Sequence, residues 1–208
     1  MIRCVICYVK FEHKITLESI FEPIIYCPDC YEKLIKVYNS CKYCSHPLGY
    51  NCCNKSITNI SLYHENQFLK DVLYQIKYYN LANKLFIFKN DIELFSRNYT
   101  NYSVIPVPLS SIMNNKRGFN QSYILASFTK LKILSCLIRT DNITQSTKTY
   151  FERINNPPKF ELKYLPKNKN LIIVDDIYTT GATMKQIVSL FPKNYHIICL
   201  TIQRTILK

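Results

Sequence analysis

The stretch Leu171-Ile-Ile-Val-Asp-Asp-Ile-Tyr-Thr-Thr-Gly-Ala-Thr183 decides the fold. Leu171 to Val174 is a short, unbroken apolar run of the kind that fills a strand buried on both faces. Asp175 and Asp176 follow, and the strand is expected to end in these two acids, both facing solvent. Thr179, Thr180, Gly181, Ala182 and Thr183 then make a hydroxyl-rich turn into a helix whose apolar face is Met184, Ile187, Val188 and Phe191. A second apolar run, Ile197 to Leu200, completes the order strand, helix, parallel strand, joined by a right-handed crossover.

In an open α/β sheet, ligands gather at the carboxyl ends of the strands, where a helix amino terminus offers unpaired N–H groups to a phosphate. Two adjacent carboxylates can accept hydrogen bonds from vicinal ribose hydroxyls and, directly or through water, hold a Mg²⁺ that neutralises a diphosphate. Gly181 is one of only three glycines in the chain, and its place in this turn marks a close backbone approach or a positive φ. Asp and Thr also cap helices, but one cap needs one such residue, and two acids with three threonines exceed it. No lysine follows Gly181 as a Walker loop requires, and no second glycine completes a dinucleotide fingerprint.

Upstream, Phe68, Leu69, Val72, Leu73 and Ile76 recur at helical spacing, Val104 to Val107 is a short strand closed by Pro106 and Pro108, and Tyr123 to Leu131 reads as a further helix. The fold class is α/β, a parallel sheet flanked by helices. Eight of the ten cysteines fall between Cys4 and Cys53, which sets a division into a cysteine module, 1–55, and an α/β domain, 56–208.

Cys4-x-x-Cys7 and Cys27-Pro-Asp-Cys30 have the spacing of paired knuckles that hold one structural Zn²⁺, and so short a segment needs such a staple to fold. A third knuckle, Cys41-Lys-Tyr-Cys44, meets the adjacent pair Cys52-Cys53 instead of a fourth. A second zinc there draws on Cys41, Cys44, Cys52 and Cys53, or takes His46 as a ligand; a degenerate site and crossed pairing between knuckles stay open. Reduced thiols in this number suit a cytoplasmic address, and no apolar leader follows Met1-Ile-Arg-Cys4.

Hydrophobic residues at 48% and charged residues at 20% suit a soluble globular chain and exclude extended disorder. Lys and Arg outnumber acids 27 to 14, a net +13 that attracts phosphorylated ligands or nucleic acid without specifying either. A chain so rich in Lys, Asn, Ile and Tyr also reflects a biased genome.

The run Val174 to Thr183 resembles the diphosphate-sugar signature of type I phosphoribosyltransferases. Ile105-Pro-Val-Pro-Leu109, Lys116-Arg-Gly-Phe-Asn-Gln121 and Leu125-Ala126 are similar to the pattern of the ComF competence-associated family, whose layout also begins with cysteine knuckles. Lys77-Tyr78, Gln145, Arg153-Ile-Asn-Asn156 and Phe160 extend the resemblance over nearly the whole chain, although Asn80 stands where a glycine is expected after the Lys-Tyr pair.

The resemblance implies a Mg²⁺-dependent protein that binds 5-phosphoribosyl diphosphate through Asp175, Asp176 and Thr179 to Thr183. It also implies a diphosphate-facing loop at Lys116 and Arg117 and a hood from Gln145 to Arg153, with Lys116, Arg117, Arg153 and Lys77 as the candidate basic residues that meet the ligand's charge. Asp175, Asp176 and Arg117 are its candidate catalytic residues, with an acceptor that no residue names. It further implies a part in DNA uptake during transformation, with single-stranded DNA or a competence helicase as partners. Two other functions fit the same residues: a regulator that senses the sugar diphosphate without turnover, and a single-stranded DNA-binding factor in which some of the 17 tyrosines stack on bases.

Overall fold

The computed structural model describes residues 1–12, 25–48, 57–140 and 159–206. At the amino terminus β1 (Ile2–Arg3) and β2 (Lys10–Phe11) pair antiparallel around the first knuckle, and α1 (Pro28–Glu32) carries Cys30. There follow β3 (Thr58–His64), α2 (Gln67–Tyr78), a 3-10 segment (Ala82–Phe88), α3 (Lys89–Ser96), β4 (Ser103–Pro106), α4 (Ser111–Arg117) and α5 (Gln121–Ser127). The rest comprises β5 (Lys132–Ile133), β6 (Leu137–Arg139), β7 (Phe160–Leu162), β8 (Asn170–Tyr178), α6 (Ala182–Ser189) and β9 (His196–Arg204).

Five strands form one sheet in the order β3-β9-β8-β4-β5, all neighbours parallel, as the alternation of apolar runs and amphipathic helices requires. Side chains alternate across β8. Ile172 and Val174 join Leu69, Val72, Leu73 and Ile76 of α2 and Leu125 and Ala126 of α5 on one face, while Leu171 and Ile173 join Met184 and Ile187 of α6 on the other. Each fully buried aliphatic contributes roughly 1.5–3 kcal/mol, so β8 is the mechanical centre of the sheet. β6 and β7 form a separate antiparallel pair flanking 141–158.

α2 begins where Asn66 Oδ1 accepts the Leu69 N–H at 2.8 Å. It ends before Asn80, whose φ of 57° is the left-handed conformation that glycine takes freely and asparagine tolerates best among other residues. The glycine expected there is replaced without loss of the turn.

Two expectations are corrected. The helix predicted over 123–131 occupies Gln121–Ser127: Asn120 starts it early by accepting the Ser122 N–H, and the Thr129 hydroxyl donates to Ala126 O while Lys130 takes a φ of 57°. Nor does the central strand end at the acids. It runs on to Tyr178, because β9 keeps pairing with it through Asp175↔Thr201, Ile177↔Gln203 and Tyr178↔Arg204 after β4 has stopped at Pro106↔Val174.

Cys4, Ile6, Tyr26, Cys27, Cys30 and Leu34 pack into the same core cluster as α2 and β8. The expected boundary at residue 55 lies outside the described residues. Among those residues no helix is long and apolar enough to cross a membrane.

Candidate functional site

β8 sits where the chain order reverses, with β9 on one side and β4 on the other, the position at which open α/β sheets leave a crevice. After the Val107 N–H donates to Val174 O at 3.0 Å the β4 chain turns away, helped by Pro106 and Pro108, which have no N–H to continue the ladder. Asp175 and Asp176 therefore keep a neighbour on one side and border open space on the other. A cavity of about 490 Å³ lies there, lined by Asp175, Asp176, Thr179 to Thr183, Arg117, Lys77 and Tyr178 among others. Such a volume is in the range that small-molecule sites occupy.

The acids differ from the solvent-facing pair the sequence led us to expect. Asp176 is only 6% exposed and is ion-paired with Lys77 Nζ at 2.5 Å. Asp175 accepts from Ser122 Oγ and from the Asp176 N–H, both at 2.9 Å. Burial, and next the Asp176 charge, push the Asp175 carboxyl up to about 7, against the Asp176 N–H, Lys77 and Ser122, which favour ionisation. The reason for the correction is the extra length of β8, which carries the acids under α2 and α5 instead of leaving them at a strand tip.

Arg117 ends α4 beside Gly118, whose φ of 71° makes the αL cap that turns the chain. It is 7% exposed, donates from Nη1 to Gln121 Oε1 at 3.0 Å and has no described partner for Nε. Burial works against its charge, and Asp176 and Asp175 support it. Lys116, by contrast, is exposed and does not line the cavity. Arg153, like Gln145, lies outside the described residues.

In the threonine turn Gly181 has a φ of 78°, and a Cβ there would lie 2.7 Å from Tyr178 Cζ and closer still to its hydroxyl. Both the backbone and the packing require glycine. Thr180 Oγ1 accepts the Ala182 N–H at 3.2 Å at the start of α6. Sequence reasoning did not single out Ser122 or Tyr74, and it quoted Tyr78 and Tyr178 only within matched runs, without a role; Ser122 directly follows the Arg-Gly-Phe-Asn-Gln run, which was its only signal.

At the amino terminus the Sγ atoms of Cys4, Cys7, Cys27 and Cys30 all lie within 4.8 Å of one another, close enough to bind one metal ion. Cys4 and Cys30 sulfurs are 3.9 Å apart, those of Cys7 and Cys27 3.7 Å, and the Ile6 and Cys27 N–H groups point at Cys4 Sγ from 3.4 and 3.3 Å. Burial raises Cys4, but the N–H groups aimed at its sulfur prevail and bring it down to about 7, whereas burial and the neighbouring thiols push Cys30 well up.

The third knuckle repeats the first. Cys4 N–H donates to Val9 O at 2.9 Å and Tyr8 N–H to Cys4 O at 2.9 Å, with Tyr8 at φ 65°; Cys41 N–H donates to His46 O at 2.8 Å and Ser45 N–H to Cys41 O at 2.9 Å, with Ser45 at φ 55°. Cys44 and His46 are buried. Cys52 and Cys53 lie outside the described residues.

No protein-family model matches the chain. It is 30% identical over 205 residues to competence protein ComFC of Bacillus subtilis (strain 168), spanning 87% of this chain and 85% of the relative. Against competence protein ComFC of Streptococcus pneumoniae (strain ATCC BAA-255 / R6) the identity is 28%, over 79% and 73% of the two chains. A 99-residue segment is 31% identical to the DNA utilization protein YhgH of Escherichia coli O157:H7, covering 44% of this chain and 43% of that one. With the α/β sheet, the amino-terminal cysteine cluster and near full-length similarity in agreement, the chain belongs to the ComF family.

Proposed function

We propose that the cleft at the end of β8 binds 5-phosphoribosyl diphosphate with Mg²⁺, and that the protein serves DNA uptake, a reading supported by relatives named competence protein and DNA utilization protein. The observation that carries the ligand is the convergence of Asp175, Asp176 and the Thr179–Thr183 turn on one cavity. The carboxylates suit the ribose diol, the turn and the start of α6 suit the 5-phosphate, and Arg117 and Lys77 suit the diphosphate. Bound Mg²⁺ would supply charge neutralisation to that leaving group. Departure of diphosphate from the anomeric carbon would leave a cation-like sugar, a charge that Asp175 and Asp176 suit, while buried Arg117, which lines the same cavity, suits the opposite one.

In a ZnS₄ tetrahedron with bonds of about 2.3 Å the sulfurs stand roughly 3.8 Å apart. Sulfur separations of 3.7 and 3.9 Å in the Cys4, Cys7, Cys27, Cys30 set support Zn²⁺ as the ion. The knuckle-shaped turn at Cys41 and Cys44 supports a second zinc completed by Cys52 and Cys53. A cysteine module over 1–55, an α/β domain over 56–208 and a cytoplasmic location complete the proposal.

One observation favours single-stranded DNA as a further ligand. Tyr74 and Tyr78, with ring centroids 4.5 Å apart, line the cavity beside Lys70 and Lys77, an aromatic and basic surface suited to stacked bases and phosphates. Calorimetric titration with 5-phosphoribosyl diphosphate, with and without Mg²⁺, tests the main reading: micromolar binding that needs the cation is expected, and no heat in either case counts against it. Diphosphate release with a panel of nucleobases then separates an enzyme from a sensor. Oligonucleotide binding that weakens with salt by a log-log slope of about −0.7 per phosphate, unaffected by Asp175→Asn, supports the DNA surface.

A further inference from the structure

We infer that Arg204 is the positioning residue of the phosphate turn, holding its carbonyls from behind so that its amides face a sugar phosphate. This role rests on the ribose-phosphate reading of the cleft. Arg204 closes β9, is 1% exposed, and has no described carboxylate paired with it. Instead the two N–H groups of its Nη1 are shared among Tyr178 O at 3.1 Å, Thr179 O at 2.8 Å and Thr205 O at 2.5 Å. The guanidinium lies 5.0 Å from the centroid of the Tyr178 ring, the same ring that fills the space beside Gly181.

A buried cation answered by carbonyl dipoles and one tyrosine ring, with no described carboxylate, is an expensive way to fill a core position, and an apolar side chain of similar volume would avoid the desolvation. The arrangement is accounted for if the charge acts on the turn. A trans peptide is planar with its C=O and N–H opposed, so a carbonyl drawn inward sends the next N–H outward. With Tyr178 O and Thr179 O both drawn to Arg204, the N–H groups of Thr179 and Thr180 point away from it, and both residues line the cavity. The fixed positive charge behind the turn also favours a phosphate dianion in front of it, in surroundings where water screens little.

Titration of wild type, Arg204→Lys, Arg204→Gln and Arg204→Met with ribose 5-phosphate, and separately with Mg²⁺ and inorganic diphosphate, tests this. Gln and Met are expected to weaken ribose 5-phosphate about tenfold or more, the usual scale for losing a supporting layer behind a charged site. Lys, whose ammonium has three donors for the three carbonyls, is expected to restore most of the affinity. Diphosphate binding, which draws on Arg117 and Lys77, stays unchanged in every variant that folds. Equal weakening of both ligands, full ribose 5-phosphate affinity in Gln or Met, a Lys variant as weak as these, or failure of both neutral variants to fold would each reduce Arg204 to a structural residue and overturn the inference. Absence of binding by the wild-type protein is a different result, which sinks the reading of the cleft and this role with it.

Discussion

The cysteine cluster and the cleft acids are assembled in opposite ways. In the cysteine module the sulfurs are placed by turns of a few residues: Cys4 and Cys7 are fixed by hydrogen bonds that span 4–9, and Cys30 rides on a five-residue helix whose N-cap is Cys27. In the cleft the two acids are adjacent in sequence, but what governs them comes from far away: Lys77 of α2, Ser122 of α5 and Arg117 of α4. The local cluster draws its geometry from short turns, whereas the long-range cluster draws it from the fold.

Breaking the local cluster should have the larger effect. Cys27→Ser removes one sulfur while leaving a good N-cap before Pro28, and among the described residues the module has little apolar core beyond what it shares with α2. Loss of one ligand from a structural zinc site of this size typically unfolds the segment. The expected outcome is loss of bound metal by elemental analysis and rapid amide exchange over residues 1–12 and 25–34, with the sheet still protected. Retention of metal and protection would show that the fold, and not the ion, holds the knuckles.

Asp91 sharpens the same comparison, because it fastens the module to the α/β core. Its carboxylate accepts from Tyr31 Oη at 2.7 Å, from Lys36 Nζ at 2.8 Å and from Tyr63 Oη. Burial pushes the carboxyl up, but Lys36, Tyr63 and Tyr31 outweigh it and hold it below its ordinary value. A carboxyl depressed in the folded state stabilises above its unfolded value of about 4, and that contribution is lost as pH falls through the folded value. Asp91→Asn is therefore expected to cost about 1–3 kcal/mol in urea unfolding at pH 7, with the gap to wild type narrowing below about pH 4. A gap that does not change with pH would contradict the charge-assisted latch.

The same contrast explains what was legible in the sequence. The parallel α/β class, the βαβ unit around Gly181 and the first cysteine cluster are written in local periodicity and spacing, and the structure agrees with them. The extent of β8 was not, since it depends on how far β9 continues as a partner after Pro106 ends β4. The burial of Asp176 against Lys77, the exposure of Lys116 beside buried Arg117, and the place of Arg204 behind the turn are tertiary facts with no local pattern. The αL turn at Asn80 lies between: the resemblance marked the position for glycine, and asparagine fills it at φ 57°.

The most direct test of the central claim is a titration of the doubly substituted protein, Asp175→Asn with Asp176→Asn, against wild type using 5-phosphoribosyl diphosphate and Mg²⁺. Asn at 175 relieves the charge repulsion there, while Asn at 176 leaves Lys77 without its partner, so the opposing effects leave the protein folded by circular dichroism. The account predicts that the folded variant gives no binding heat where wild type does. Wild-type affinity in the variant would contradict it.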